Sequence, residues 1–227
     1  MIKVNVDGRA IEVGEGQSLL AVCLQQGIFI PHLCFLEGMP ESPASCRLCF
    51  VDIQGEPAPV ASCKVPPWDG MVVRTDTERV RRLQKSALRL LLSVHHVDCR
   101  NCPSNKKCVL QDLAKFLGVP LKSKKLEHLQ REIGVELDHP LFQFVPERCV
   151  LCEKCIAVCR QHNDFSLLTF AKRGFNTVVT CFEKDPDRLP CSDCRACVEI
   201  CPVSAIFLKN EAAEACLDQP PPFPDSP

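Results

Sequence analysis

Two stretches decide the fold: RCVLCEKCIAVC at residues 148–159 and CSDCRACVEICP at residues 191–202. Each contains four cysteines spaced C-x2-C-x2-C-x3-C. Thiolates at this spacing hold two [4Fe–4S] clusters, and the fourth cysteine of each run ligates the other cluster. Zinc sites and disulfides seldom need cysteines packed so closely. The predicted ligands are Cys149, Cys152, Cys155 and Cys201 for one cluster, and Cys159, Cys191, Cys194 and Cys197 for the other.

A third ligand group precedes these runs. His95, Cys99, Cys102 and Cys108 read H-x3-C-x2-C-x5-C. Three thiolates and one imidazole can hold a [4Fe–4S] cluster, but structural zinc sites use the same ligand set, so spacing leaves both open. Spacing also leaves open whether the imidazole comes from His95 or from the adjacent His96.

The amino-terminal region is predicted to be a small mixed sheet with one helix, of the β-grasp type. Residues 1–13 alternate apolar and polar side chains around Asp7-Gly8, which predicts a β-hairpin. A helix is predicted over about residues 18–26, closed by Gly27, and a strand over residues 50–53.

This region carries its own ligand group, which reads C-x11-C-x2-C-x13-C: Cys34, Cys46, Cys49 and Cys63. Four thiolates suit a [2Fe–2S] cluster, with the central C-x2-C pair on one loop. A structural zinc ion is the alternative, because it also takes four cysteines. We expect His32, beside the first ligand, to be a hydrogen-bonding neighbour rather than a ligand.

Helices are predicted after this region. Thr75 and Glu78 are spaced as a capping box that starts the first one. Its predicted apolar face contains Val80, Leu83, Ala87, Leu90, Leu91 and Val94. Residues 109–117 form a second, mostly helical stretch.

Three of the eighteen cysteines lie outside the ligand groups. Cys23 falls on the apolar face of the first helix and is predicted to be a buried structural thiol. Cys181 and Cys216 have no partner at ligand spacing, and the sequence assigns them no role.

Bulk properties exclude several classes of function. The net charge of −1 gives no reason to propose a nucleic-acid partner. The amino terminus lacks a basic leader followed by an apolar block, and no apolar stretch is long enough for a transmembrane segment, so we expect a cytoplasmic protein whose cysteines bind metal. There is no G-x-G-x-x-G fingerprint, Walker A sequence or catalytic pairing, so we expect no substrate site in this chain.

In this order, the ligand groups resemble the N-terminal iron–sulfur region of the large iron–sulfur subunit of respiratory complex I, and the matching region of complex [FeFe]-hydrogenases. The matching phrases cover about residues 1–208: PHLCFLEG, ASCRLCFVDI, RTDTERVRR, HHVDCRNCPSNKKCVLQDLA, RCVLCEKCIAVC, RGFNTVV and CSDCRACVEICPVSAI. His96 stands where the family usually has proline, and Arg160 follows Cys159 where proline is usual. Neither change removes a ligand.

Because the chain ends soon after Cys201, it is most similar to the diaphorase small iron–sulfur subunit of cytoplasmic NAD-reducing [NiFe]-hydrogenases. The resemblance implies one [2Fe–2S] and three [4Fe–4S] clusters, and it favours His95 as the imidazole ligand. It also implies a hetero-oligomer in which this subunit relays single electrons between a flavin/NAD(H)-binding diaphorase subunit and a hydrogenase subunit.

Two other hypotheses remain. The same relay can serve a formate dehydrogenase, an electron-bifurcating complex or another NAD(P)H-linked reductase, because the ligands do not identify the terminal chemistry. A protein of another class, a free ferredoxin-like carrier or a zinc-stapled interaction module, would use similar cysteines.

The expected architecture is α+β with three cluster-binding regions. Residues 1–75 form a β-grasp [2Fe–2S] domain and residues 76–138 a small helical domain with one histidine and three cysteine ligands. Residues 139–210 form a bacterial-type 2[4Fe–4S] ferredoxin domain. Residues 211–227 are proline-rich and are predicted to be disordered.

Overall fold

The computed structural model describes residues 1–122, 128–129, 139, 141–163, 166–183, 191 and 194–209. These residues fall into two compact units. Unit 1 comprises Met1–Leu90 and Leu113–Val119, and unit 2 comprises Leu91–Asp112 and the described residues from Pro120 onward. The predicted disordered tail and Cys216 lie outside the described residues. The three-part division expected from the sequence stays a prediction.

Unit 1 contains a five-stranded mixed sheet. Its strands are β1 (Ile2–Val6), β2 (Arg9–Val13), β3 (Phe50–Ile53), β4 (Val60–Ala61) and β5 (Met71–Arg74). Their order in the sheet is β2-β1-β5-β3-β4, with β1 and β5 parallel and the other neighbours antiparallel. The mixed sheet expected from the sequence is therefore present.

The first two strands form the predicted hairpin, in which Val4 lies opposite Ile11. Asp7 and Gly8 make its turn with φ angles of 51° and 86°, the left-handed values that a tight hairpin turn requires. The carboxylate of Asp7 also accepts hydrogen bonds from the backbone N–H and the hydroxyl of Thr75, at 2.8 and 2.6 Å. These bonds tie the turn to the end of β5.

The predicted helix is also present, as α1 (Leu19–Gln25). The hydroxyl of Ser18 caps it by accepting from the N–H of Ala21 at 3.3 Å, and Gly27 ends it with a φ of 71°. The helix buries one face in the main core of unit 1, together with the inward residues of the sheet. The buried residues of α1 are Leu19, Leu20, Val22 and Cys23.

Helix α2 (Glu78–Val94) follows the sheet. The predicted capping residue, Thr75, is wrong: the hydroxyl of Thr77 caps the helix by accepting from the N–H of Val80 at 3.2 Å. Thr77 directly precedes the first helical residue, Glu78, whereas Thr75 lies two residues earlier and donates its hydroxyl to the Asp7 carboxylate.

The predicted apolar face of α2 is correct only in part. Val80 and Ala87 are buried, but Leu90 is 66% exposed and Leu88 is fully buried in its place. Gln84 also lies in the buried stripe, where its side-chain amide donates to the carbonyl of Phe50 at 3.1 Å. This hydrogen bond explains how a polar residue occupies a position that the sequence pattern reserves for apolar ones.

The second predicted helix is present as α3 (Val109–Leu117).

Trp68, the only tryptophan in the sequence, lies in the turn before β5 and is 43% exposed. Its carbonyl accepts a hydrogen bond from the N–H of Met71 at 3.1 Å.

The described residues of unit 2 from Pro120 onward form two two-stranded antiparallel sheets and two helices. The strands are β6 (Phe142–Phe144), β7 (Leu168–Ala171), β8 (Val178–Cys181) and β9 (Ile206–Leu208), and the helices are α4 (Lys154–Asn163) and α5 (Ala196–Glu199). β6 pairs with β9, and β7 pairs with β8. Phe142, Ile156, Leu168, Val179 and Ile206 form its core beside several of the cysteines.

No helix in the described part of the chain is both long and apolar enough to cross a lipid bilayer.

Candidate cluster-binding sites

The four cysteines predicted to bind a [2Fe–2S] cluster meet in the interior of unit 1, where all are buried. The Sγ atoms of Cys34 and Cys46 lie 3.4 Å apart. The hydrogen bond with Cys46 lowers the pKa of Cys34 to about 5. The hydrogen bond with Cys49 lowers the pKa of Cys63 to about 7, although the nearby charge of Cys34 opposes this by raising it. The structure therefore brings all four predicted residues together.

Local backbone geometry creates this grouping. Ala44 and Arg47, on either side of Cys46, have φ angles of 52° and 55°, so the chain turns sharply around that cysteine. Ser62 donates to the carbonyl of Cys49 through both its N–H, at 2.9 Å, and its hydroxyl, at 2.8 Å. This pair of bonds fixes Cys63 beside Cys49.

The two adjacent histidines differ in burial and in hydrogen bonding. His95 is 8% exposed, whereas His96 is exposed. The Nδ1–H of His95 donates to the carbonyl of Arg148 at 2.8 Å, which leaves the Nε2 lone pair available for a metal. Burial lowers the pKa of His95, and the positive charge of Arg148 adds to that effect. Both favour the neutral ring that a ligand requires.

The three cysteines that follow His95 also lie near one another. Cys99 begins a single turn of 3₁₀ helix, and the N–H of Cys102 donates back to its carbonyl at 3.3 Å. Burial raises the pKa of Cys108 to about 11, and the charges of Cys102 and Cys99 contribute to that rise. Cys108 is buried, whereas the other two are half-buried.

The eight cysteines of the double run sort into two cavities of unit 2. Cavity A is lined by three cysteines of the first run and the last cysteine of the second: Cys149, Cys152, Cys155 and Cys201. Cavity B is lined by the last cysteine of the first run and three of the second: Cys159, Cys191, Cys194 and Cys197. The grouping is the one that the spacing predicts. That these thiols bind iron stays a prediction.

Electrostatic coupling follows the same grouping. Burial raises the pKa of Cys152 to about 12, and the charges of Cys201 and Cys149 raise it further. Burial likewise raises the pKa of Cys197 to about 12, and the charge of Cys159 raises it further. The thiols within each cavity are therefore close enough to resist simultaneous ionisation without a metal to hold them.

One helix serves both cavities, because α4 carries Cys155 toward cavity A and Cys159 toward cavity B one turn later. Around cavity A, the backbone N–H of Ala205 donates to Sγ of Cys201 at 3.2 Å. Leu151 and Glu153, on either side of Cys152, have left-handed φ angles of 53° and 68°. The loop is therefore folded tightly around that cysteine.

The loops of the histidine–cysteine group contact the loops of cavity A. The N–H of His96 donates to the carbonyl of Glu147 at 2.7 Å. The guanidinium of Arg148 donates to the carbonyl of Asn101 at 3.2 Å. The thiol of Cys108 donates to the carbonyl of Pro202 at 3.9 Å. The order of the groups within unit 2 is therefore the histidine–cysteine group, cavity A and cavity B.

Cavity B contains polar groups that sequence reasoning missed. Cys181, to which spacing assigned no role, lines it as a fifth thiol. The side-chain N–H of Asn163 donates to the carbonyl of Cys159 at 3.0 Å and to its Sγ at 3.8 Å. His139 also lines the cavity and stacks on Phe142 with 3.7 Å between ring centroids. The sequence spacing of Cys181, Asn163 and His139 did not predict their positions, because each reaches the cavity through tertiary packing.

The remaining predictions concern single residues. Cys23 is fully buried in the core of unit 1, and burial raises its pKa to about 12, as expected of a structural thiol. The Nδ1–H of His32 donates to the carbonyl of Ile30 at 2.8 Å, in agreement with its predicted hydrogen-bonding role.

The donor chemistry of these sites fits iron–sulfur clusters. Each cavity contains four cysteines of the double run, and an N–H donor lies within 4 Å of a thiol sulfur in both, from Ala205 in cavity A and from Asn163 in cavity B. Across the described ranges, no three His, Cys, Asp or Glu side chains are arranged to hold a single metal ion.

Two family descriptions match the chain. Residues 1–78 match a 2Fe-2S iron-sulfur cluster binding domain, and residues 84–121 match the NADH-ubiquinone oxidoreductase-G iron-sulfur binding region. The fold is accordingly a mixture of helices and strands with 2Fe-2S and 4Fe-4S binding regions.

Individual relatives of known name are similar to almost the whole length of this chain. NADP-reducing hydrogenase subunit HndD of Solidesulfovibrio fructosivorans is 31% identical over 214 residues, covering 91% of this chain and 36% of the relative. The G 2 subunit of the NADH-quinone oxidoreductase of Rhizobium meliloti is 35% identical over 212 residues, covering 91% of this chain and 24% of the relative. The chain thus spans only about a quarter to a third of the length of these curated relatives.

Among solved structures, a chain in the crystal structure of an NAD+-reducing [NiFe]-hydrogenase in the H2-reduced state superimposes with a TM-score of 0.80. The sequences are 27% identical, and the match covers 92% of this chain and 87% of that chain.

Proposed function

This chain is a homologue of hydrogenase subunit HndD and of the iron–sulfur region of the NADH-quinone oxidoreductase G-type subunits, and from that premise we propose that it relays single electrons within an NAD(P)H-linked redox complex. The observation that carries the proposal is the sorting of the double run into two cavities, with four of its eight cysteines lining each. Two cysteine runs that exchange their last members suit two [4Fe–4S] clusters.

We propose four clusters. A [2Fe–2S] cluster would bind to Cys34, Cys46, Cys49 and Cys63 in a β-grasp domain. A [4Fe–4S] cluster would bind to His95, Cys99, Cys102 and Cys108. Two more would bind in cavities A and B of a bacterial-type ferredoxin domain. Burial of His95 and its hydrogen bond to Arg148 support it over His96.

The clusters would supply one-electron chemistry when bound. The residues of this chain hold and insulate them. The thiols bind, the apolar residues between them exclude water, and N–H donors such as those of Ala205 and Asn163 bond to sulfur. Helix α4 sets the separation between cavities A and B to about one helical turn at the ligand positions.

The proposed partners are a flavin/NAD(H)-binding diaphorase subunit and a hydrogenase-type catalytic subunit in a cytoplasmic hetero-oligomer. The likeness to a chain of an NAD+-reducing [NiFe]-hydrogenase, which this chain covers almost completely, supports this choice. The same relay in a formate dehydrogenase, an electron-bifurcating complex or another reductase would leave the roles of the residues in this chain unchanged.

Anaerobic purification of the native complex tests the proposal. We expect about fourteen irons bound by this chain, in addition to those of its partner subunits, with matching acid-labile sulfide and signals of several reduced clusters in electron paramagnetic resonance (EPR) spectra. Cys23→Ala is a matched control, because it removes a buried thiol without changing the iron content. Zinc in place of iron, or iron for only two clusters, would contradict the proposal. Nickel in the co-purifying subunits supports the hydrogenase, and molybdenum or tungsten identifies a formate dehydrogenase instead.

A further inference from the structure

Arg148 is a buried positive charge. Its side chain is 9% exposed, and its guanidinium lies 5.8 Å from the ring centre of Phe207. One terminal nitrogen donates to the carbonyl of Asn101 at 3.2 Å. Its Nε is buried, with no acceptor among the described residues. Arginine keeps its charge at any pH that a folded protein tolerates.

No carboxylate within the described ranges forms an ion pair with Arg148, since the ion pairs found there, at up to 4.0 Å between nitrogen and oxygen, involve Lys3, Lys64 and Arg81. A buried charge without a counter-charge strongly destabilises a protein. The location of Arg148 therefore calls for an anion nearby.

Two candidate anionic groups flank Arg148. Its guanidinium bonds to Asn101, which lies between Cys99 and Cys102 in the histidine–cysteine group. Its backbone directly precedes Cys149 of cavity A. Its carbonyl also holds His95 in the orientation described above. Clusters with three or four thiolate ligands carry net negative charge, and each added electron makes that charge more negative.

We propose that Arg148 is the internal counter-charge of the cluster held by the histidine–cysteine group and raises the reduction potential of that cluster. The proposal rests on the proposed function, since it requires the cluster to be bound. Reduction adds one electron to the cluster, with no bond broken and no proton moved. A fixed cation nearby stabilises the reduced form more than the oxidised form. The effect on the cavity A cluster is smaller, because the guanidinium bonds to the other loop.

Three substitutions separate charge from hydrogen bonding, and all keep the carbonyl that orients His95. Arg148→Gln retains an amide that can donate to Asn101 but removes the charge. Arg148→Met removes both, and Arg148→Lys retains the charge. Arg100→Met is the matched control, because Arg100 lies beside Cys99 but is exposed, where solvent screens its charge.

The measurement is a potentiometric titration of the anaerobic complex with redox mediators, followed by EPR. The EPR signal to follow is that of the cluster in the histidine–cysteine group, which is identified as the signal that His95→Cys alters. With Arg148→Gln and Arg148→Met we expect the ratio of reduced to oxidised cluster, at a fixed applied potential, to fall at least threefold. Arg148→Lys and Arg100→Met should stay within twofold of the unmodified protein.

The alternatives give different results. If Arg148→Gln matches the unmodified protein, or if Arg148→Lys behaves like Arg148→Met, the guanidinium has only a structural role and the inference is wrong. An equal shift with Arg100→Met would also overturn it. If Arg148→Met fails to fold, the comparison of Arg148→Gln with Arg148→Lys still shows whether the charge sets the potential. Absence of the signal from the unmodified protein would instead contradict the proposed function.

Discussion

The exchange of the last cysteine between the two runs gives the sharpest prediction. Cys159 belongs to the first run by sequence, but it lines cavity B with Cys191, Cys194 and Cys197. Cys159→Ala should therefore remove the cavity B cluster, about four of about fourteen irons, and leave the cavity A cluster in place. Cys201→Ala should remove the cavity A cluster, although Cys201 belongs to the second run by sequence.

Double substitutions make the test quantitative. Cys159→Ala combined with Cys194→Ala removes two ligands of one cavity, so the loss should stay at about four irons. Cys159→Ala combined with Cys152→Ala removes one ligand from each cavity, so the loss should rise to about eight irons. A model in which each run binds its own cluster predicts the opposite result for the two pairs.

The assay is iron and sulfide content per chain after anaerobic purification, with EPR to identify which signal disappears. Cys23→Ala is the control for loss of a buried thiol. The reasoning fails if Cys159 and Cys152 prove to share a cluster, so that their double variant loses no more iron than either single variant.

Other measurements test the rest of the structure. Thr77→Ala should lower the free energy of unfolding by about 1 kcal/mol, because it removes the helix cap. Thr75→Ala should lower it by about half as much, because it removes only the hydrogen bond to Asp7. Both are measured by chemical denaturation, and a larger loss at Thr75 would contradict the assignment of the cap. Leu20→Ala should cost about 3 kcal/mol in the same experiment, because the side chain is fully buried. His95→Ala should lose about four irons while His96→Ala loses none, and equal losses would refute the choice between them.

Ligand groups could be read from the sequence because cluster chemistry fixes their spacing. The first three cysteines of each run must wrap one cluster within a few residues, and the fourth must reach the other cluster, so the spacing predicts which thiols share a cavity. The same holds for the Asp7-Gly8 turn and for the helix that Gly27 closes, where a local backbone conformation demands particular residues.

Predictions failed or were silent where tertiary contacts decide. Thr75 matched a capping pattern, but the helix begins at Glu78, so Thr77 caps it and Thr75 bonds to the distant Asp7 carboxylate. Leu90 fitted the apolar face of α2 but is exposed, whereas the polar Gln84 is buried and its amide donates to the carbonyl of Phe50 on β3. Cys181 reaches cavity B only because β8 pairs with β7, which no cysteine spacing could indicate.

The single tryptophan gives unit 1 an optical label of its own. Trp68 is five residues from Cys63, so their Cα atoms lie within about 18 Å of each other however the chain runs between them. Over such a distance, a coloured iron–sulfur centre quenches indole emission by energy transfer. Since the chain has no tyrosine, fluorescence brightening during oxygen exposure would follow decay of the amino-terminal site against almost no background.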